Sequence, residues 1–454
     1  LLVVAGTVEI ALRATHLLIA AGRYPARPAA CVGGVACDTT PFVSVHVPTC
    51  NEPPAMVIAT LQSLSRSMFD RFEVIVVDNN TADPALWMPV EQAVRQLGPK
   101  FRFIRVAKLA GAKAGALNIA LGAADPATTH IAVVDADYQV DPTFLGDSLA
   151  AATANGADYV QFPQAYRAVG RSARGVEREL GDYFACFMSR AGQAGSMLPT
   201  GTLSLFAIEA LRAVGGWPTR TITEDAEIGL RLQAAGYRGL WIGRECGRGL
   251  LPLDLDGIKK QRARWSAGNC QVLGQLWQVM GRPRHTPDLL GLVIQLTAWI
   301  TLILPAAIAL AVVGLFPHVP LAGPIGVIAA ATILGSSLLS ALRLFAFGDR
   351  AASWRVRIEA IATKSALTWT SATAWLPALL PVHLQFHRTA KSATDARADR
   401  LRASFAISVL FFALAVAQAA YGSALPALAC LALASVWPCE RFVDGALRRA
   451  AVPG

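Results

Sequence analysis

Charge is scarce in this chain of 454 residues, with 16% Asp, Glu, Lys or Arg against 54% hydrophobic. That excludes an ordinary soluble enzyme over the whole length. The scarcity is uneven: charged motifs crowd between Pro41 and Arg284, and long apolar runs fill the sequence after Pro287. Eight cysteines include no Cys-x-x-Cys and no His/Cys cluster, so neither a zinc site nor a disulfide framework is indicated and reduced thiols are expected. No basic helix is interleaved with aromatics, so the net charge of +10 is not read as nucleic-acid binding. Basic loops beside a bilayer and a pocket for an anionic substrate account for it instead. Residues 1–21 lack the basic front and small-residue cleavage site of a signal peptide, and the chain begins without methionine.

What is present divides the chain. Residues 1–22 are apolar but carry Glu9, Arg13 and His16. They are expected to span the membrane with those groups turned to other helices, an amphipathic surface helix being the alternative. A Pro- and Gly-containing linker follows at 23–40, then a cytoplasmic domain at 41–267, an interfacial helix at 268–286, and transmembrane and interfacial helices at 287–454.

Within 41–267, short β-branched runs at 42–47, 72–77, 101–106, 130–134, 158–162 and 203–206 alternate with helical periodicity. The alternation predicts an α/β domain, a mostly parallel sheet with helices on both faces and polar strand ends gathered along one rim. The run at 130–134 ends in Asp135-Ala136-Asp137. Side chains two apart on a strand share a face, so both carboxylates are expected to converge at the strand edge, where hard oxygens suit Mg²⁺ or Mn²⁺ holding a diphosphate. Asp78 ends its own strand and could reach a base or ribose, or simply cap a turn. Lys113 lies near a helix start, where an anion would relieve its charge. Glu224 and Asp225 head a helix, an ordinary place for carboxylates. Gln261, Arg264 and Trp265 share one helix face, a guanidinium fork for phosphate beside an indole for sugar stacking.

Together these motifs resemble the processive membrane glycosyltransferases of family two, the group containing cellulose, chitin and hyaluronan synthases. The matching pieces are Asp78-Asn79-Asn80, Lys113-Ala114-Gly115-Ala116-Leu117-Asn118, Asp135-x-Asp137, Thr223-Glu224-Asp225 and Gln261-Arg262-Ala263-Arg264-Trp265. The flanks, among them Val47-Pro48-Thr49-Cys50-Asn51-Glu52-Pro53-Pro54 and Asp137-Tyr138-Gln139-Val140-Asp141-Pro142, are most similar to bacterial synthases of β-1,3- and β-1,3/1,6-glucans. The resemblance implies a GT-A type domain at the cytoplasmic face of an inner membrane, with UDP-glucose as donor and a growing polysaccharide as acceptor. Asp78, Lys113 and Asp135 would hold the nucleotide, Asp137 with Asp135 the Mg²⁺ or Mn²⁺, and Gln261 and Arg264 the diphosphate side. Asp225, beside Glu224, would be the general base. Trp265 would stack the acceptor, with Thr200, Gly201 and Thr202 lining its path. The chain departs from the family pattern at Cys50, at Pro199-Thr200-Gly201-Thr202 and at Thr389-Ala390-Lys391. A transferase adding one sugar to a lipid, a chitin- or hyaluronan-type synthase using an amino sugar, and an inactive membrane scaffold are the alternatives.

After Pro287, crossings are expected at 289–316, at 325–347 and as a pair over 405–437 broken near Gly422. Arginines and lysines flanking 351–402 place both its ends inside, so residues 358–386 are read as an interfacial or re-entrant element. Arg441, Arg448 and Arg449 return the chain to the cytoplasm, with too few residues after them for a regulatory domain.

Overall fold

The computed structural model describes residues 1–22, 40–167, 170–280, 288–318, 320–347, 352–380 and 400–451. The linker expected at 23–40 falls outside the described residues except for Thr40, as do Cys31, Cys37, residues 281–287 and Thr389-Ala390-Lys391.

Among the described residues, ten strands form two sheets: β1 (Val43–Thr49), β2 (Phe72–Asn79), β3 (Phe101–Val106), β4 (His130–Val133), β5 (Gln139–Val140), β6 (Tyr159–Gln161), β7 (Ala165–Arg167), β8 (Ser204–Ala207), β9 (Gly239–Trp241) and β10 (Gly247–Leu250). The larger sheet runs β3-β2-β1-β4-β8-β6-β9, and β8 alone is antiparallel to its neighbours. The smaller runs β5-β10-β7. Central strands are buried on both faces because strand alternation feeds two cores: Val74 and Val76 of β2 pack on one side, Ile75 and Val77 on the other. The order 3-2-1-4 reverses between β1 and β4, and the crevice outside the carboxyl ends of strands at such a reversal is where open α/β sheets take ligands.

The turn after β4 departs from expectation. β4 ends at Val133, and Tyr138 N donates to Asp135 O at 3.0 Å. Asp135 and Asp137 therefore sit in a turn beyond the strand, and the turn, not the pleat, sets their directions.

Among the described residues, four helices are long and apolar enough to cross a membrane: Leu2–Ala20, Ala322–Ala346, Ala403–Ala420 and Ala424–Ala450. The crossing expected at 289–316 is not one helix. It is divided into Leu289–Thr297 and Leu304–Leu315 by six residues that belong to neither helix. Pro305 at the head of the second piece supplies no amide donor. Buried polar groups from the first helix serve the broken backbone. Arg13 donates to Ile300 O, Leu302 N to Glu9 Oε2 at 2.8 Å, and Thr301 Oγ1 to Glu9 Oε1 at 2.7 Å. Arg13 Nε and Ser336 Oγ complete the carboxylate at 2.7 and 2.6 Å. Irregular backbone at such depth persists only where protein satisfies it in this way.

The separate helix expected at 268–286 is also absent from its described part. Residues 268–273 are the last turns of Leu255–Leu273, and only the short turn Leu276–Gln278 follows before 280. Residues 358–380 fall in the helices Trp354–Ala366 and Thr368–Thr373 and the turn Leu376–Leu379, while 381–386 lie outside the described residues.

Candidate active site

The loops after β1 and β2 are locked to each other. Asn79 Nδ2 donates to Thr49 O at 2.8 Å and Asn51 N to Thr81 Oγ1 at 2.8 Å, while Asn51 and Asn80 take left-handed φ of 51° and 57°. Asp78 Oδ2 accepts from Thr49 and Thr81 hydroxyls at 3.0 and 2.9 Å. Its Oδ1 is buried with no partner among the described residues, and burial raises its pKa.

Beyond these loops opens a cleft of about 460 Å³. Residues 48–52 and 135–138 form one wall, the helix heads at Lys113 and at Glu224 and Asp225 another, and Gln261, Arg264 and Trp265 a third. Thus Lys113, Asp135, Asp137, Glu224, Asp225, Gln261, Arg264, Trp265 and Thr200 face one cavity. Asp78, Gly201 and Thr202 do not line it. Asp78 lies behind the wall, Thr202 Oγ1 accepts from Asp135 N at 3.0 Å, and Gly201 O accepts from Lys113 Nζ at 2.7 Å. Gly201 thus supports Lys113, and Thr202 supports Asp135, where an acceptor lining was expected.

Lys113 Nζ lies 2.6 Å from Asp135 and 3.6 Å from Glu224. Burial opposes its charge, yet Asp135 and Glu224 outweigh burial and hold the ammonium above its ordinary value. Asp225 Oδ1 accepts from Ala226 N at 2.8 Å. Burial and then Glu224 push its carboxyl up to about 7, against Lys113 and Arg264. A carboxyl poised near neutrality in a cleft suits proton transfer. Gly201, at φ +78°, permits this packing: a Cβ there would meet Asp225 Oδ2 at 2.8 Å and Lys113 Nζ at 3.1 Å.

Leu255–Leu273 starts where Asp254 Oδ1 accepts from Gly257 N at 2.8 Å. Its cleft face carries Gln261, whose Oε1 is buried without a partner among the described residues, with Arg264 and Trp265. Arg262 turns the other way and is 2% exposed, paired with Glu179. Its guanidinium lies 3.8 Å from the Trp299 ring centroid and 5.3 Å from that of Trp265. Sequence reading passed over Arg262, although its place three residues before Trp265 was a signal. Trp299 gave none, since it lies in an apolar run. Beyond Trp265, a second pocket bounded by Trp299, Tyr183, Phe184 and Asp225 holds about 40 Å³, room for little more than one water.

No group of three or more His, Cys, Asp or Glu poised for a metal occurs among the described residues. Asp135 and Asp137 still fit Mg²⁺ or Mn²⁺, because such ions take one or two carboxylates and complete their shell with water and substrate phosphates.

Comparison with known proteins decides the family. Residues 130–419 match the model of glycosyl transferase family group 2, and residues 44–214 that of glycosyl transferase family 2. The chain belongs to glycosyl transferase family group 2. Its larger sheet and flanking helices are the GT-A-like fold of these transferases, continued by a helical region. Similar proteins include a probable glucomannan 4-beta-mannosyltransferase of Arabidopsis thaliana, 28% identical over 53% of this chain and 45% of that one. A cellulose synthase catalytic subunit of Xanthomonas axonopodis is 26% identical over 51% and 32%. A beta-monoglucosyldiacylglycerol synthase of Synechocystis is 31% identical over 46% and 43%. In each case the match spans less than half of the relative's length. Among solved structures, a mannosyltransferase of Pyrobaculum calidifontis in complex with GDP-Man and Mn²⁺ superposes with a TM-score of 0.49 at 21% identity, covering 83% of this chain and 97% of that one.

Proposed function

We propose that this family-two transferase is an inverting, processive synthase that polymerises a β-glucan from UDP-glucose, with β-1,3 as the leading linkage, at the cytoplasmic face of an inner membrane and passes the product across it. The observation that carries the reading is the single cleft in which Asp135, Asp137, Lys113, Arg264 and Trp265 face a carboxyl raised to about 7. Sugar and nucleotide follow from the glucan-synthase likeness of the flanking motifs, and a processive β-linked polymer from likeness to cellulose and glucomannan synthases.

In this reading Asp225 accepts the proton of an acceptor hydroxyl while that oxygen bonds to the anomeric carbon. The bond from that carbon to the diphosphate oxygen breaks, and UDP leaves with the electron pair. Attack opposite the leaving group turns an α-linked donor into a β-linked product. Gln261 and Arg264 orient the diphosphate and offset its growing charge, Lys113 pairs with Asp135 and Glu224 nearby, and the buried Asp78 underpins the nucleotide loops. Trp265 presents its ring to the acceptor sugar, with Thr200 Oγ1, buried and unpartnered among the described residues, directed to its hydroxyls. A divalent cation held by Asp137 and Asp135 would supply further neutralisation of the diphosphate.

Purified protein in detergent with Mg²⁺ or Mn²⁺ should release UDP from UDP-glucose and build labelled polymer, and Asp225→Asn should lower the rate by about 10²–10⁴-fold. Undiminished turnover in that variant removes the base. The likeness to the diacylglycerol glucosyltransferase favours a second reading, one sugar transferred to a lipid acceptor. Product sizing separates the two: a single lipid-linked sugar excludes the polymer.

A further inference from the structure

A cavity of about 400 Å³ in the helical half has no place in the catalytic reading. It shares no residue with the catalytic cleft or with the pocket beyond Trp265. The broken backbone separates them, giving Trp299 to that pocket and Thr301 and Ile303 to this cavity. Eight hydroxyl side chains line it, Ser337, Ser340, Ser365 and Thr368 among them, together with Arg13 and Lys364.

Its charges do not balance. Arg13 is paired with Glu9, Arg262 with Glu179 and Arg343 with Asp182. Lys364 has no carboxylate partner among the described residues. Glu359, five residues earlier on the same helix, packs against Gly175 and does not line the cavity. Of the two cations that line the cavity, Arg13 is matched by Glu9 and Lys364 by no carboxylate within ion-pair reach among the described residues, and an unmatched charge in such surroundings is costly. Burial, with Arg13, Arg343 and Arg262, holds the Lys364 ammonium down to about 7 against the pull of Glu179. A bound anion would cancel that penalty. The wall also reaches the outer surface between two candidate spanning helices, at Leu338, which is 59% exposed, and at the exposed Ser337 and Ser435.

We propose that this cavity binds a phosphate group, presented by an anionic lipid whose head enters between the helices Ala322–Ala346 and Ala424–Ala434. Lys364 supplies the charge and Ser340, Ser365 and Thr368 the hydroxyl donors, a combination suited to phosphate oxygens. The site requires no nucleotide sugar, so it stands or falls apart from the catalytic reading.

The test is lipid retention by the full chain, followed by native mass spectrometry with phosphatidylglycerol and phosphatidylcholine in mixed micelles. Phosphatidylglycerol should be retained preferentially, and Lys364→Gln should reduce its retention about tenfold, the loss of one charge-assisted contact, with Lys364→Arg restoring it. Ser340→Leu, which fills the cavity and keeps the lysine, should also reduce retention, and it carries the test if Lys364→Gln does not fold. A thermal shift of delipidated protein with inorganic phosphate separates the sources. Stabilisation by phosphate that Lys364→Gln abolishes, without lipid preference, supports the anion site and assigns it to free phosphate. Equal retention of both lipids with no phosphate effect, or unchanged retention in both variants, overturns the proposal.

Discussion

Asp225 is raised by burial and Glu224 and lowered by Lys113 and Arg264, so its neighbours set its working pH. As the proposed base it must be ionised, and, with the proposed UDP-glucose donor, kcat/KM for UDP release should climb as pH rises through about 7. Glu224→Gln removes the raising charge and should move this limb to lower pH. Lys113→Gln removes a lowering one and should move it up. Two limbs unmoved by these changes would assign the titration to another group. Gly201→Ala tests the packing directly. Its Cβ would come within 2.8 Å of Asp225 Oδ2 on a backbone of positive φ, so UDP release should drop at least about tenfold, the usual cost of misplacing a reacting group, with secondary structure retained by circular dichroism.

Among the elements, the interrupted helix between Leu289 and Leu315 depends on Glu9. This one carboxylate accepts from Arg13, Thr301, Leu302 and Ser336, joining the first helix to the break and to Ala322–Ala346. Glu9→Gln leaves Arg13 buried and unpaired and should destabilise the protein by about 3–5 kcal/mol, read as a lower Tm in detergent. The hydropathy of residues 289–316 gave no sign of the break, because the groups that satisfy it come from Glu9, Arg13 and Ser371, far away in the chain. The helix bearing Trp265 illustrates the same point. Three- and four-residue spacing set Gln261, Arg264 and Trp265 on a common face, but its extension to Leu273 and the burial of Arg262 against Glu179 and Trp299 were fixed by packing.

For the molecule as a whole, the junction between the two halves is tightest where Arg174–Asp182 meets Trp354–Ala366. A Cβ on Gly175 would lie 2.2 Å from Glu359 Cβ and 2.8 Å from its backbone carbon. Gly175→Ala should therefore force the helices apart, costing about 1–3 kcal/mol, and, on the proposed function, should reduce polymer formation more than donor binding, measured by titration calorimetry with UDP. The alternating strands, the mostly parallel sheet and the apolar helices were all readable from periodicity, which depends on neighbours a few residues apart. Asp135 and Asp137 were legible as a pair, but the turn that aims them was not, nor were the supporting places of Gly201 and Thr202 behind Lys113 and Asp135. By itself the sequence determined the fold class, the division into a charged half and an apolar half, and which residues are proposed to meet a diphosphate. Only the tertiary structure decided that Lys113 from one helix head and Asp225 from another meet over Gly201, and that Lys364 faces a cavity without a counter-charge, since such approaches are set by side chains far apart in the chain packing at atomic contact.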